Sequence, residues 1–259
     1  MSSRSWDKDM AAAERRSVRI LGVRVDDVTM NEAVQAIRRM ALSAASHQVV
    51  TVNAEFVMRA QQDADFRVVL GGAALALADG YGIIWAARRL RQPLRERVAG
   101  SDAVPRLCEM AAAEGLRVFF LGAAEGVAEE ASRRLQQRYP GLVVAGCFAG
   151  SPSEADEAEI CARIRTAQPQ LLLVAYGAPA QDFWIHRNLP ATGVPVAMGV
   201  GGSLDFIAGR VPRAPRWMRE HGLEWLYRLL RQPWRWRRML ALPRFVVRVL
   251  AERDKIGGS

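Results

Sequence analysis

Sulfur and imidazole are scarce in this sequence, and long apolar runs are missing. Three cysteines and three histidines among 259 residues leave little material for metal or redox chemistry. Cys108, Cys147 and Cys161 are an odd number at wide spacings, each in apolar or helical context. They read as free core thiols rather than disulfides. His47, His186 and His221 are equally scattered, and no HExxH, CxxC or HxH pair occurs. A dedicated zinc centre is not expected, nor any other metal or cofactor. Neither GxGxxG nor GxxxxGK[ST] is present, so the usual dinucleotide and phosphate-loop fingerprints are absent. No apolar run approaches the roughly 18–20 residues that span a bilayer. Residues 1–17 hold no apolar stretch suited to a secretory signal. A cytoplasmic, unexported chain is the expectation.

What is present is distributed unevenly. Half of the residues are hydrophobic and 24% charged, ordinary for a globular protein with a real core. The length allows one large α/β domain with an appendage, or two small domains. The formal net charge is +9, and residues 210–259, with 13 Lys+Arg and 4 Asp+Glu, carry all of it. Residues 1–209 hold 23 of each sign. The same basic tail contains Trp217, Trp225, Trp234 and Trp236, four of the seven tryptophans. A neutral body with a basic, Trp-rich tail suggests a division of labour.

Local pattern gives the body its class. Val18–Val25 reads as a strand, and Thr29–Glu32 as a capping box opening a helix through Met40. Strands are expected at Val49–Val52, Leu75–Ala78, Val118–Leu121, Leu142–Cys147, Leu171–Tyr176 and Val194–Val200. Helices are expected at 55–62, 81–91, 102–114, 125–138, 153–166, near 180–188, and at 203–208. Short apolar strands alternating with helices describe a Rossmann-like, mostly parallel sheet covered on both faces. Beyond Gly209 the strand signal stops; 215–231, 233–242 and 243–252 look helical, punctuated by Pro212, Pro215, Pro233 and Pro243. The domain reading is a disordered 1–17, a catalytic body 18–208, and a helical appendage 209–259.

In open parallel sheets ligands bind beyond the carboxyl ends of the strands. The turn Gly199-Val-Gly201-Gly202-Ser203 lets backbone N–H groups approach a phosphate and opens a helix; it reads equally as a tight turn without ligand. Gly122–Gly126 is a second such turn. Asp79, between an apolar strand and Gly80, has the partly desolvated setting of a general base, although pattern alone favours a helix cap. Thr51 and Asn53 offer neutral hydrogen-bonding groups for sugar hydroxyls, or simple strand-end turn chemistry. Gln181 could do the same or face solvent. Arg97 and Asp102 form either a structural ion pair or a substrate clamp. Arg228, Arg235 and Arg238 could share one side of a helix bent at Pro233, and guanidinium forks suit diphosphates; a solvated basic face is the plainer alternative. Tryptophans interleaved with basic residues describe a helix lying in an anionic membrane interface.

Six segments, taken together, resemble the WecG/TagA/CpsF bacterial glycosyltransferases (glycosyltransferase family 26). They are Thr51-Val-Asn53-Ala-Glu55, Ala78-Asp79-Gly80-Tyr-Gly82-Ile83, Arg97-Val-Ala-Gly100-Ser-Asp102, Gly177-Ala-Pro179-Ala-Gln181-Asp-Phe-Trp184, Gly199–Gly209, and Gly222–Leu229 with the arginines that follow Pro233. They occur in family order over about residues 18–245. The resemblance implies an inverting, metal-independent transferase that moves N-acetylmannosamine, glucose or a similar sugar. The donor would be a UDP-sugar and the acceptor a polyprenyl-diphosphate-linked sugar, in surface or exopolysaccharide synthesis. It implies Asp79 as the base, Thr51, Asn53 and Gln181 as pocket residues, and Arg228, Arg235 and Arg238 closing over the leaving diphosphate. The chain departs from the pattern at Ala180, where Lys is common, and at Asp182, where Glu is common. Peripheral attachment to the inner membrane face through residues 210–259 follows; nucleic acid is not an expected partner, and self-association is left open. The alternatives are a nucleotide-sugar or dinucleotide oxidoreductase, and a basic nucleic-acid-binding module.

Overall fold

A computed structural model describes residues 16–231 and 240–257. The chain opens with β1 (Ser17–Ile20) and β2 (Val23–Asp26), an antiparallel pair. Sequence pattern suggested one strand here. The alternation continues across the pair, but Leu21 (φ 48°) and Gly22 (φ 80°) turn the chain back on itself. There follow α1 (Met30–Ala41), with the expected capping box at Thr29 and Glu32, β3 (His47–Val52), α2 (Ala54–Ala60), α3 (Ala64–Gly72), β4 (Leu75–Ala78) and α4 (Tyr81–Arg89). Next come α5 (Gly100–Glu114), β5 (Arg117–Gly122), α6 (Val127–Arg138), β6 (Val143–Phe148) and α7 (Glu157–Ala167). Then β7 (Leu171–Ala175), α8 (Ala180–Thr192), β8 (Val196–Gly199) and α9 (Ser203–Ile207) complete the body, before α10 (Arg216–Glu220), α11 (Glu224–Arg231) and α12 (Ala241–Gly257). Helix α3 escaped the pattern reading; Asp63 caps it, accepting from the Phe66 N–H at 2.9 Å.

Six strands form one all-parallel sheet in the order β4-β3-β8-β7-β5-β6. Their continuous apolar sequence follows from burial on both faces. Val49, Leu75, Leu77, Phe120 and Leu173 lie under α1, α5, α6 and α9. On the opposite face Val50, Val52, Ala76 and Ala78 meet α2, α3, α4 and α12, while Phe119, Leu121, Leu172 and Val174 meet α7 and α8. This is the expected Rossmann-like architecture. Strands β3 and β7 lead into helices on one face, whereas β8, lying between them, leads into α9 on the other. The crevice beside β8 is thus a topological switch point, where open α/β sheets bind ligands.

The stretch expected as one helix over 215–231 is divided at Gly222 (φ 73°), where α10 ends and α11 is entered. A side chain at Gly222 would place its Cβ 3.0 Å from Cγ of Tyr81. The turn therefore rests directly on the start of α4. Most of the expected 233–242 helix lies outside the described residues. The last helix, α12, begins before Pro243 and buries Phe245 and Val249 completely against the α2–α4 side of the sheet. Its Glu252 carboxylate accepts from the Leu21 N–H at 3.2 Å.

Candidate active site

Thr51, Gly100 and Ser203 meet at the crevice. A Cβ on Gly100 would stand 3.3 Å from the Thr51 methyl and 4.0 Å from Ser203 Oγ. The end of β3, the start of α5 and the start of α9 therefore converge, joining three of the six segments. Thr51 is buried. Asn53 is the N-cap of α2, its Oδ1 accepting from the Phe56 N–H at 3.0 Å, which orients its Nδ2 as the group able to serve a ligand.

Asp79 stands beside this point. Its N–H donates to the Val52 carbonyl at 2.8 Å, and the Val98 N–H donates to the Ala78 carbonyl, also at 2.8 Å. The end of β4 is thereby held between the Asn53 and Arg97 segments, with Asp79 half-buried. Gly80 turns the chain there at φ 94°, a conformation other residues reach only with strain. The Arg97 guanidinium lies 5.2 Å from the Tyr81 ring centre and donates to Asp102 at 3.1 Å. Asp102 also receives Arg213 at 2.6 Å and Arg219 at 3.8 Å. The ion pair expected between Arg97 and Asp102 exists, as part of a larger node. Arg213 and Arg219 carry no sequence signal for it: they pair across more than a hundred residues, from a Pro-punctuated stretch without regular pattern.

The Gly199–Ser203 turn is built differently from a phosphate cradle. The N–H of Val200 donates to Val174, that of Ser203 to Val200, and that of Gly201 to Gln181 Oε1 at 2.9 Å. Gln181 is 2% exposed and braces the turn from behind. A Cβ at Gly199 would fall 2.5 Å from Gln181 Nε2 and 3.0 Å from Asp182 Oδ1, so glycine is needed there for close approach. The Gly122–Gly126 turn opens α6, whose first turn carries Glu129 and Glu130, a poor setting for an anion. Arg235 and Arg238 lie outside the described residues; so does the side chain of Arg228, whose backbone belongs to α11.

Asp182, directly behind the turn, is fully buried, and neither carboxylate oxygen accepts a hydrogen bond. Burial pushes its carboxyl from the ordinary 3.8 up to about 7, against a lowering influence of the Gln181 amide. The folded state then holds a proton that the unfolded chain releases between about pH 4 and pH 7. Stability falls as pH rises through that window and is level on either side. Asp182→Asn should accordingly raise the unfolding temperature at pH 8, with the gain over the native protein vanishing near pH 4. A constant difference across a pH series of thermal melts would refute the assignment.

The three thiols are free, and burial pushes Cys108 up to about 12, a poor nucleophile. Among the described residues no group of three His, Cys, Asp or Glu side chains could hold a metal ion, and no helix is long and apolar enough to cross a membrane. Trp217, at 58% exposure, Trp225 and Leu230 project from α10 and α11.

A parallel sheet with a carboxylate, side-chain amides and a guanidinium cluster gathered near its strand ends has the architecture of an α/β enzyme. Residues 18–257 match the model of the glycosyl transferase WecG/TagA/CpsF family, and the chain belongs to this family of glycosyltransferases. It is 39% identical over 202 residues, 78% of either chain, to an N-acetylglucosaminyldiphosphoundecaprenol N-acetyl-beta-D-mannosaminyltransferase of Bacillus spizizenii. Over 241 residues, 92% of this chain and 94% of the other, it is 33% identical to a protein of the same description from Staphylococcus aureus strain MW2.

Proposed function

We propose that the protein transfers a hexosaminyl or hexosyl residue from a UDP-sugar to a sugar carried on polyprenyl diphosphate, with inversion and without a metal. The observation that carries the reading is the placement of Asp79 between the Asn53 and Arg97 segments, at the end of β4 and beside the switch-point crevice. The relatives' descriptions support N-acetylmannosamine as the transferred sugar and a diphosphoundecaprenol-linked N-acetylglucosamine as its acceptor. Asp79 takes the proton from the acceptor hydroxyl as the hydroxyl oxygen bonds to the anomeric carbon. The bond from that carbon to the diphosphate breaks, and its electron pair leaves on UDP. A single displacement of this kind inverts the anomeric centre, because no second carboxylate captures the sugar first. Charge growing on the departing UDP requires fixed cations, and the arginines Arg228, Arg235 and Arg238 are suited to that role. The work is done at the inner face of the membrane, to which the tail's exposed tryptophans and basic residues bind.

The test is a panel of UDP-sugars offered with a lipid-diphosphate-linked N-acetylglucosamine, with products read by mass spectrometry before and after EDTA. UDP-N-acetylmannosamine should give the disaccharide product, and EDTA should leave the rate within about twofold. Absence of a product with every UDP-sugar would refute the donor class. Loss of activity in EDTA, restored by Mg²⁺ or Mn²⁺, would refute the metal-free mechanism.

A further inference from the structure

The node around Asp102 contains more cation than its own structure needs. Arg97 comes from the segment leading into α5, Arg213 from the stretch before α10, and Arg219 from α10 itself, and all three guanidinium groups converge on one carboxylate. Three like charges so close would repel one another; among the described residues the carboxylate shown pairing with all three is Asp102, which leaves two positive charges in excess within this group of four. Each of the four side chains is between 18% and 30% exposed, so the cluster is open to a ligand. Arg213 also donates to Ser101 Oγ at 2.9 Å, while its Nε is buried without a hydrogen-bond partner. A preorganised, partly desolvated set of guanidinium forks with surplus charge is the arrangement that binds a doubly charged diphosphate.

Resting on the transfer reading above, we propose that Arg97, Arg213 and Arg219 form a second diphosphate site, for the lipid-borne diphosphate of the acceptor. Two substrates each bring a diphosphate to that reaction, and one set of arginines cannot hold both. The node adjoins the segment that carries the candidate base. Arg97 stacks on Tyr81, two residues from Asp79, and a sugar joined directly to the diphosphate would extend from the node toward that carboxylate. Trp217, which lies between Arg213 and Arg219 in the sequence, is exposed and suited to the headgroup layer of a bilayer. A diphosphate arriving on a lipid would thus meet these two arginines at the interface, whereas a soluble nucleotide has no need of them.

Calorimetric titration of the full chain with farnesyl diphosphate and, separately, with UDP tests the site. Arg213→Gln and Arg219→Gln should each weaken farnesyl diphosphate by about 10- to 100-fold, as expected for hydrogen bonds to a charged group. UDP should stay within about twofold. In steady state the acceptor KM should rise while the donor KM does not. Arg219 meets Asp102 only at 3.8 Å, so its variant keeps the test available if Arg213→Gln fails to fold. Unchanged farnesyl diphosphate binding would overturn the proposal, and so would equal weakening of both probes, which would mean a single shared anion site. A native protein that binds UDP but not farnesyl diphosphate would overturn the second site and leave the transfer reading standing. Failure to bind UDP, with no transfer from any UDP-sugar, would sink both.

Discussion

Asp79→Asn is expected to fold, to bind UDP as the native protein does, and to lose about 10²–10⁴-fold in kcat, the usual contribution of a positioned general base. The backbone around Asp79 explains why the fold should survive. The strand end is held by main-chain hydrogen bonds, Asp79 N–H to Val52 and Val98 N–H to Ala78, and the glycine at φ 94° behind it makes the turn. None of these depends on the carboxylate, and Asn is nearly isosteric. The loss should therefore fall on kcat with acceptor present, with little change in either KM or in the unfolding temperature. A variant that keeps near-native kcat would move the role of base to another group.

The body of the fold was legible in the sequence because its strands are short, apolar and separated by helices with ordinary caps. Thr29 and Glu32 form the capping box that their spacing announced. Three features were not legible, for different physical reasons. The β1–β2 turn uses Leu21 at positive φ, an uncommon choice that local preference does not forecast. Sequence pattern leaves Gln181 open between a sugar-binding amide and a solvent-facing one; the side chain is buried and its carbonyl oxygen accepts from the Gly201 N–H, which only the packing of α8 against β8 decides. The node at Asp102 joins residues far apart in the chain, and nothing in the local pattern of Arg213 or Arg219 names that carboxylate. Candidate residues close to strand ends could be placed from the sequence because the sheet's topology fixes where they go. Residues supplied by the tail were visible as charge, without their destinations.

Charge and aromatic content made the tail look like one unit, but the structure divides its work, and the division sets the largest stability effect expected here. Phe245 and Val249 are fully buried among residues of α2 and α4; a Cβ on Gly82 would stand 3.8 Å from the Phe245 ring and 3.5 Å from Ala54. Phe245→Ala would remove a large side chain from a close-packed site, at a cost of about 3–5 kcal/mol. Domains of this kind have about 5–15 kcal/mol in total. The urea midpoint should fall steeply, and deletion of residues 210–259, which also uncovers the rest of that face, should yield an unstable, aggregating body. Trp217, Trp225 and Leu230 are exposed, so changing all three to Ser should alter the urea midpoint little. The same triple variant should nonetheless sediment less with phosphatidylglycerol vesicles, since three of its interfacial side chains are gone while its basic charge remains. A stable 1–209 fragment would show that α12 is dispensable to the core, and undiminished vesicle binding by the triple variant would show that charge alone holds the protein to the membrane.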